Sequence, residues 1–287
     1  MSIITDFTNR RMYFWRRYYF GKEGIWCRDF NKEEAFCVLK DSLYKDYMVR
    51  AVADNGKTIA VSRSIDTNEP LLMVDVDKKT ITNTIYNHTF IYPCLDREGS
   101  KVFSVTKSDI YKNIYGNPFC VDAETGKVIA TLDEKTQWGN TAYHPASNSV
   151  YFSAFRQPNL YKFNFDTLMF SAIPTDKKIR ISDCKVACDN KGYYYLGSNI
   201  LVYMNNEDEE VWRINFKEKE KLSAKTLFSI CLSDNPDYIA VYLLDGNWLF
   251  IVNRNDFSLK KYKLGRVGFS EFFNNSLLFL YKNDNLS

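Results

Sequence analysis

Three carboxylates stand first among the residues whose types could do chemistry: Asp6, Asp183 and Glu271. Carboxylate oxygens are the ligands that hard divalent cations take, so three of them brought to one point would make a metal site. A metal-dependent, lactonase-like hydrolase is the reaction class this trio would serve. The chain has only two histidines, His88 and His144, which leaves little for His-based metal binding or general-base catalysis. No Gly-x-Ser-x-Gly, His-Glu-x-x-His, P-loop or Gly-x-Gly-x-x-Gly occurs. The cysteines Cys27, Cys37, Cys94, Cys120, Cys184, Cys188 and Cys231 include no Cys-x-x-Cys pair. Cys184 and Cys188, the closest two, would lie about 13 Å apart on an extended strand, too far for a disulfide. They read as reduced thiols used as small core hydrophobes, and the favoured reading assigns no cofactor.

The segment Arg10-Arg11-Met12-Tyr13-Phe14-Trp15-Arg16-Arg17-Tyr18-Tyr19-Phe20 interleaves cations with aromatics, a mixture that can grip single-stranded nucleic acid. A strand explains it more simply, with rings packed on one side and arginine stems covering the other. The whole chain holds 38 Lys and Arg against 35 Asp and Glu over 287 residues, a net charge of +3 that gives no electrostatic case for nucleic acid. No window approaches the roughly 18–20 apolar residues of a membrane span, and the first residues lack the pattern of a secretory leader. A cytoplasmic protein without a membrane partner is expected.

The elements that must position these residues repeat. A turn triplet beginning with Asp or Asn starts at Asp29, Asp75, Asp122, Asn164, Asn205 and Asn253, at spacings of 46, 47, 42, 41 and 48 residues. A second turn series is interleaved at Asp54, Asp96, Pro145, Asp189, Asp234 and Asn274. The runs between them are short and rich in Val, Ile, Tyr, Phe and Thr, often alternating, which are strand signals. The charged stretch Lys217 to Lys225 reads as a solvated loop. Four strands per repeat, here lettered a to d, with two alternating turn series make the signature of a β-propeller blade. Blades are expected at about 47–89, 90–135, 139–176, 180–218 and 226–265 on this spacing. Strands Met12 to Phe20, Gly24 to Asp29 and Ala35 to Lys40 precede them, with a first inner strand around Asp6. An a–b pair, Gly268 to Asn274 and Leu277 to Lys282, follows them. Ring closure removes exposed sheet edges, so the expected fold is a closed all-β propeller, a single domain over residues 1–287, with seven blades favoured over six. The six-bladed alternative has the C-terminal pair joining the N-terminal strands.

Val121-Asp122-Ala123-Glu124-Thr125-Gly126-Lys127-Val128 resembles the Asp-x-x-Thr-Gly hairpin of the β-propeller superfamily, particularly its YVTN-type and quinoprotein-like blades. No Trp-Asp dipeptide and no Gly-Gly doublet is present. The resemblance implies fold; function must come from the site. In such blades the b–c and d–a loops share one end. Tyr44, Asp109, Tyr111, Tyr115, Trp138, Arg156, Asp176, Lys178 and Arg180 fall on those loops, and Tyr, Trp and Arg dominate protein interfaces. The expected function is non-catalytic binding of another protein through this face, as a bacterial accessory or toxin-neutralising immunity protein. The metal-dependent hydrolase built on Asp6, Asp183 and Glu271 is the alternative.

Overall fold

A computed structural model describes the chain except residues 1–2, 7, 17–23, 41–46, 64–68, 106–115, 135, 137, 155–156, 221–227, 233–234, 244–247, 264–266, 274–275 and 282–287. For residues 3, 15–16, 219–220, 228, 231, 243, 267–273 and 276–281 it describes the backbone only.

The alternating runs form the strands expected of them. β1 (Ile3–Asp6), β2 (Arg11–Arg16), β3 (Gly24–Asp29) and β4 (Glu34–Leu39) make the first sheet; β5 (Met48–Val52), β6 (Thr58–Ser62), β7 (Leu71–Asp75) and β8 (Thr80–Ile85) the second. The third holds β9 (Ile91–Leu95), β10 (Lys101–Val105), β11 (Pro118–Asp122) and β12 (Val128–Thr131), and the fourth β13 (Trp138–His144), β14 (Ser149–Ala154), β15 (Leu160–Asn164) and β16 (Met169–Ile173). β17 (Ile181–Val186), β18 (Gly192–Gly197), β19 (Ile200–Asn205) and β20 (Glu210–Asn215) form the fifth. A short helix, α1 (Phe216–Glu220), precedes the sixth, β21 (Phe228–Leu232), β22 (Tyr238–Leu243), β23 (Trp248–Asn253) and β24 (Leu259–Lys263). β25 (Val267–Phe273) and β26 (Ser276–Tyr281) pair only with each other.

This pairing corrects the closed seven-bladed ring. The chain forms six four-stranded antiparallel blades and a two-stranded remainder, an open array rather than a closed one. The reason lies in the first sheet: β1 already pairs with β2 (Ile3 opposite Phe14, Asp6 opposite Arg11), and β3 is flanked by β2 and β4. Among the described residues no N-terminal strand is therefore left over to complete the β25–β26 pair, and that pair shares no strand pairing with the first blade that would close a ring of six. Lys217 to Lys225 is also not wholly loop: the Asn215 side-chain oxygen accepts from the backbone N–H groups of Lys217 (3.1 Å) and Glu218 (3.4 Å), starting α1 as an N-cap.

The described chain divides into two compact units, Met1–Val150 with Phe163–Phe170, and Tyr151–Lys162 with Ser171–Ser287. In the first, inner strands β1, β5, β9 and β13 pack side by side in chain order; in the second, β17, β21 and β25 do. Strand burial follows position in the blade. Middle strands such as β18 are buried along their whole length, which is why Tyr193-Tyr194-Tyr195-Leu196 reads as one apolar run. Outer strands face solvent: β24 is Leu-Lys-Lys-Tyr-Lys with its last four residues exposed, and lysines there blunt a free sheet edge. The core is a set of clusters between successive sheets. Tyr13, Ile25, Val61 and Val74 fill one, Leu71, Met73, Val102 and Val121 the next, and Tyr194, Leu201, Ile239 and Phe250 one in the second unit. Cys27, Cys94, Cys120 and Cys184 are buried as well. Among the described residues no helix is long and apolar enough to cross a membrane.

Candidate functional site

Each blade has a turn end, carrying the a–b and c–d turns, and a loop end, carrying the b–c and d–a connections. At the loop end of the second unit, adjacent loops are tied by backbone groups. Ile181 N–H donates to the Gln157 carbonyl (2.9 Å), Arg180 N–H to Ser198 Oγ (2.9 Å), and Phe216 N–H to the Asn199 carbonyl (3.0 Å). Gly197 makes this approach possible, because a Cβ there would lie 2.2 Å from the Arg180 carbonyl oxygen. Within the d–a loop, Asp176 Oδ1 accepts from the Lys178 N–H (2.9 Å), the Asp176 carbonyl accepts from Ile179 N–H (2.9 Å), and the Ile179 side chain is fully buried. The loop is therefore held from both sides, and Lys177, Lys178 and Arg180 are exposed on it.

Asp176 is not open to a partner in the same way. Its Oδ2 accepts from Arg213 Nη1 at 2.9 Å, and Arg213 also grips Glu210 through Nε (2.6 Å). The Lys178 N–H, then the Arg213 guanidinium, hold the Asp176 carboxyl below the usual carboxylate range. Trp138 is likewise not a surface contact: it is 5% exposed, the first residue of β13, and its Nε1 donates to the Gly116 carbonyl at 2.7 Å. Lys178 and Arg180 are thus the exposed members of the expected face. Tyr44, Asp109, Tyr111, Tyr115 and Arg156 lie outside the described residues. The sequence reading passed over Lys177, Ser198, Arg213 and Lys217. The run Lys177-Lys178-Ile179-Arg180 was itself a signal for the first, whereas Ser198 and Arg213 become neighbours of this loop only through folding.

Two of the three carboxylates read as metal ligands, Asp183 and Asp6, are occupied by protein donors. Asp183 Oδ2 accepts from the Ile230 N–H (2.8 Å) and Ser229 Oγ (3.1 Å), and Oδ1 from the Cys184 N–H (2.9 Å), which fastens β17 to β21. Asp6 is 8% exposed and takes Asn9 N–H (2.9 Å) and Asn9 Nδ2 (3.2 and 3.0 Å). Burial pushes its carboxyl up to about 6, against the lowering effect of those Asn9 bonds. Asp6 belongs to the first unit, Asp183 and Glu271 to the second, and the Glu271 side chain lies outside the described residues. Among the described residues no group of three His, Cys, Asp or Glu could hold a metal ion.

The histidines serve packing. His88 Nε2 meets the Gly126 carbonyl at 2.9 Å and its ring lies 5.5 Å from that of Phe119. His144 is fully buried, with Nδ1 accepting from the Ser147 N–H (3.3 Å). From the arginine-aromatic segment, Arg11 is spent on Asp29 Oδ2 (3.1 Å) and the Gly56 carbonyl (2.7 Å), and Tyr13 is buried.

No protein-family model and no curated protein matches the chain by sequence. Solved structures do match by shape. The β-propeller domain of Cps50 (Swd1) from Myceliophteria thermophila aligns over 98% of this chain and 92% of its own, with a TM-score of 0.65 and 10% identity. A chain of the Mitotic Checkpoint Complex aligns over 94% of this chain and 82% of its own, with a TM-score of 0.61 and 12% identity. Identities this low carry the architecture and nothing finer. By fold, and by fold alone, the chain is a β-propeller.

Proposed function

We propose that this propeller is a non-catalytic module that binds another protein through its b–c/d–a loop end. The observation that supports it is the division of labour in the second unit's loops, where backbone groups hold neighbouring connections together and long polar side chains are left outward. A backbone already tied in place loses little freedom on binding, so the ordering cost is confined to the side chains. One of the structural neighbours is part of the Mitotic Checkpoint Complex, a multi-protein assembly of the kind this reading supposes. Covering the active site of a toxin, as a bacterial immunity protein does, is one concrete form of the role, within the cytoplasm. The whole chain acts as one binding domain in this reading.

Affinity capture from native lysate tests it with two baits, the unaltered protein and a Gln157→Ala/Lys178→Ala/Arg180→Ala/Lys217→Ala variant. At least one protein should be recovered by the first bait and lost from the second. Identical recoveries would reject the loop end as the binding surface. Trp138→Ala is not a suitable probe, because it empties a buried site and removes the bond to Gly116.

A further inference from the structure

We infer that the loop end of the second unit takes an acidic protein segment, an inference that rests on the protein-binding reading and specifies its partner. Lys177, Lys178, Arg180 and Lys217 are all exposed, and none has an ion-pair partner among the described residues. They stand on connections linked to one another: the Arg180 N–H to Ser198 Oγ, and Phe216, next to Lys217, to the neighbouring Asn199. The acids close by do not cancel them. Arg213 is shared between Glu210 and Asp176, so among the described residues the four cations outnumber the acids left on these connections, Glu218 and the second carboxylate of that trio.

The spacing favours a peptide. Lys178 and Arg180 flank a fully buried Ile179, so both flanking side chains turn outward from a backbone that Ile179 anchors. An extended segment with acidic residues at alternate positions offers carboxylates on one side at a repeat of about 7 Å. Arg180 supplies a planar fork for bidentate pairing with one carboxylate, and Lys177, Lys178 and Lys217 supply point charges for others. Single-stranded nucleic acid needs aromatic faces beside its cations. Of the described exposed aromatics, Tyr86 and Tyr92 belong to the first unit, Tyr238 and Phe257 to turn-end hairpins, and Tyr262 to the outer strand β24 of the sixth blade, none of them on the connections that carry these cations.

Fluorescence anisotropy at low salt tests this with three labelled probes: a twelve-residue peptide of alternating Glu and Ser, its Gln/Ser counterpart, and an oligothymidylate of equal charge. The proteins are the unaltered chain, a Lys177→Glu/Lys178→Glu/Arg180→Glu variant, and a control with reversals on β24 away from its loop end, Lys260→Glu/Lys261→Glu. A Lys177→Gln/Lys178→Gln/Arg180→Gln variant stands in should the first reversal set disturb folding, as read by thermal melting. The Glu peptide should bind at least about tenfold more tightly than the Gln peptide, lose about tenfold or more in the loop variants, and change by no more than about twofold in the β24 control. Absence of Glu-peptide binding, or equal losses in loop and β24 variants, overturns the inference. Tighter oligothymidylate binding that vanishes in the loop variants overturns it too, in favour of nucleic acid. If the peptide fails while the capture comparison still loses a protein from the loop-end bait, the face binds a partner that is not acidic; if both fail, the protein-binding reading itself falls.

Discussion

The two ends of the blades in the second unit use their charged residues in opposite ways. At the turn end, Arg254 crosses from the sixth blade to the fifth: its Nη1 meets Asp189 Oδ2 at 3.2 Å and the Pro236 carbonyl at 2.7 Å, and its guanidinium lies 4.6 Å from the centre of the Tyr203 ring. Asp208 there accepts from the hydroxyls of Tyr193 (3.1 Å) and Tyr151 (3.3 Å), whose rings stack at 4.0 Å, and Lys162 Nζ stands 3.5 Å from its other oxygen. Burial first, then the Asp208 charge, pushes the Tyr193 phenol up, so it stays a neutral donor. At the loop end the ties around the exposed cations come from the backbone, Ile181 N–H reaching the Gln157 carbonyl of the fourth blade and Phe216 N–H the Asn199 carbonyl within the fifth, and Lys177, Lys178, Arg180 and Lys217 remain outside. Side chains that serve as glue are not available to a partner; where the backbone supplies the glue, they are.

The first unit shows the same economy at its turn end. Asn9 Nδ2 reaches the Asp54 carbonyl (2.8 Å), Asn55 Nδ2 the Glu98 carbonyl (3.1 Å), and Arg97 Nη2 the Pro145 carbonyl (3.2 Å), each linking one blade to the next. Gly56 belongs to this device: it has φ of +65°, and a Cβ there would meet the Asn9 amide at 2.6 Å. Asp29 is held below the usual carboxylate range although burial opposes its charge, because Arg11 and the N–H groups of Asn31 and Lys32 outweigh that effect.

The contrast can be broken by substitution at either end. The largest effect is expected for Arg254→Ala, which removes an ion pair, a bond to a carbonyl and a stacked cation at once; about 3 kcal/mol should be lost in urea unfolding. Next comes the pH dependence carried by Asp6. Its folded value of about 6 lies above the ordinary 3.8, so between these two the folded chain binds the extra proton. Stability contributed by this group is therefore fullest below about pH 4 and declines as pH rises to 6, by roughly 2 kcal/mol. Unfolding curves of the unaltered chain and Asp6→Asn across that window should diverge with this sign; parallel curves would mean that Asp6 is not buried. Asp208→Asn keeps a left-handed turn that Asn tolerates while removing the charge, and should cost about 1–2 kcal/mol in the same assay. The smallest effect belongs to the loop end, where Lys178→Ala/Arg180→Ala should change stability by no more than about 0.5 kcal/mol. A loss there as large as that of Arg254→Ala would erase the distinction between the ends.

Much of the architecture was legible in the chain because its signals are local. Alternation marked the strands, and Asp and Asn marked the turns, as at Asp122, whose Oδ1 accepts from both the N–H and the hydroxyl of Thr125 at 2.7 Å. Closure was not legible, since whether β25–β26 gains further strands depends on pairing between residues far apart in sequence. The candidate site was legible in part for the same reason. Lys178 and Arg180 read as exposed because they lie in a short polar loop. Trp138 read as a loop aromatic, but its burial depends on Gly116, 22 residues earlier. Asp183 read as a channel carboxylate because the donors that occupy it, Ser229 and Ile230, come from the next blade. A buried aspartate receiving backbone N–H groups and an aspartate poised for a cation have the same one-letter code.

The most direct measurement is site-specific photo-crosslinking in cells, with benzoylphenylalanine placed singly at Gln157 and Glu218 on the loop end and at Glu207 and Asp256 on the turn end. The account requires discrete protein adducts from the first pair and none from the second. Adducts from Glu207 or Asp256, with none from Gln157 and Glu218, would contradict it.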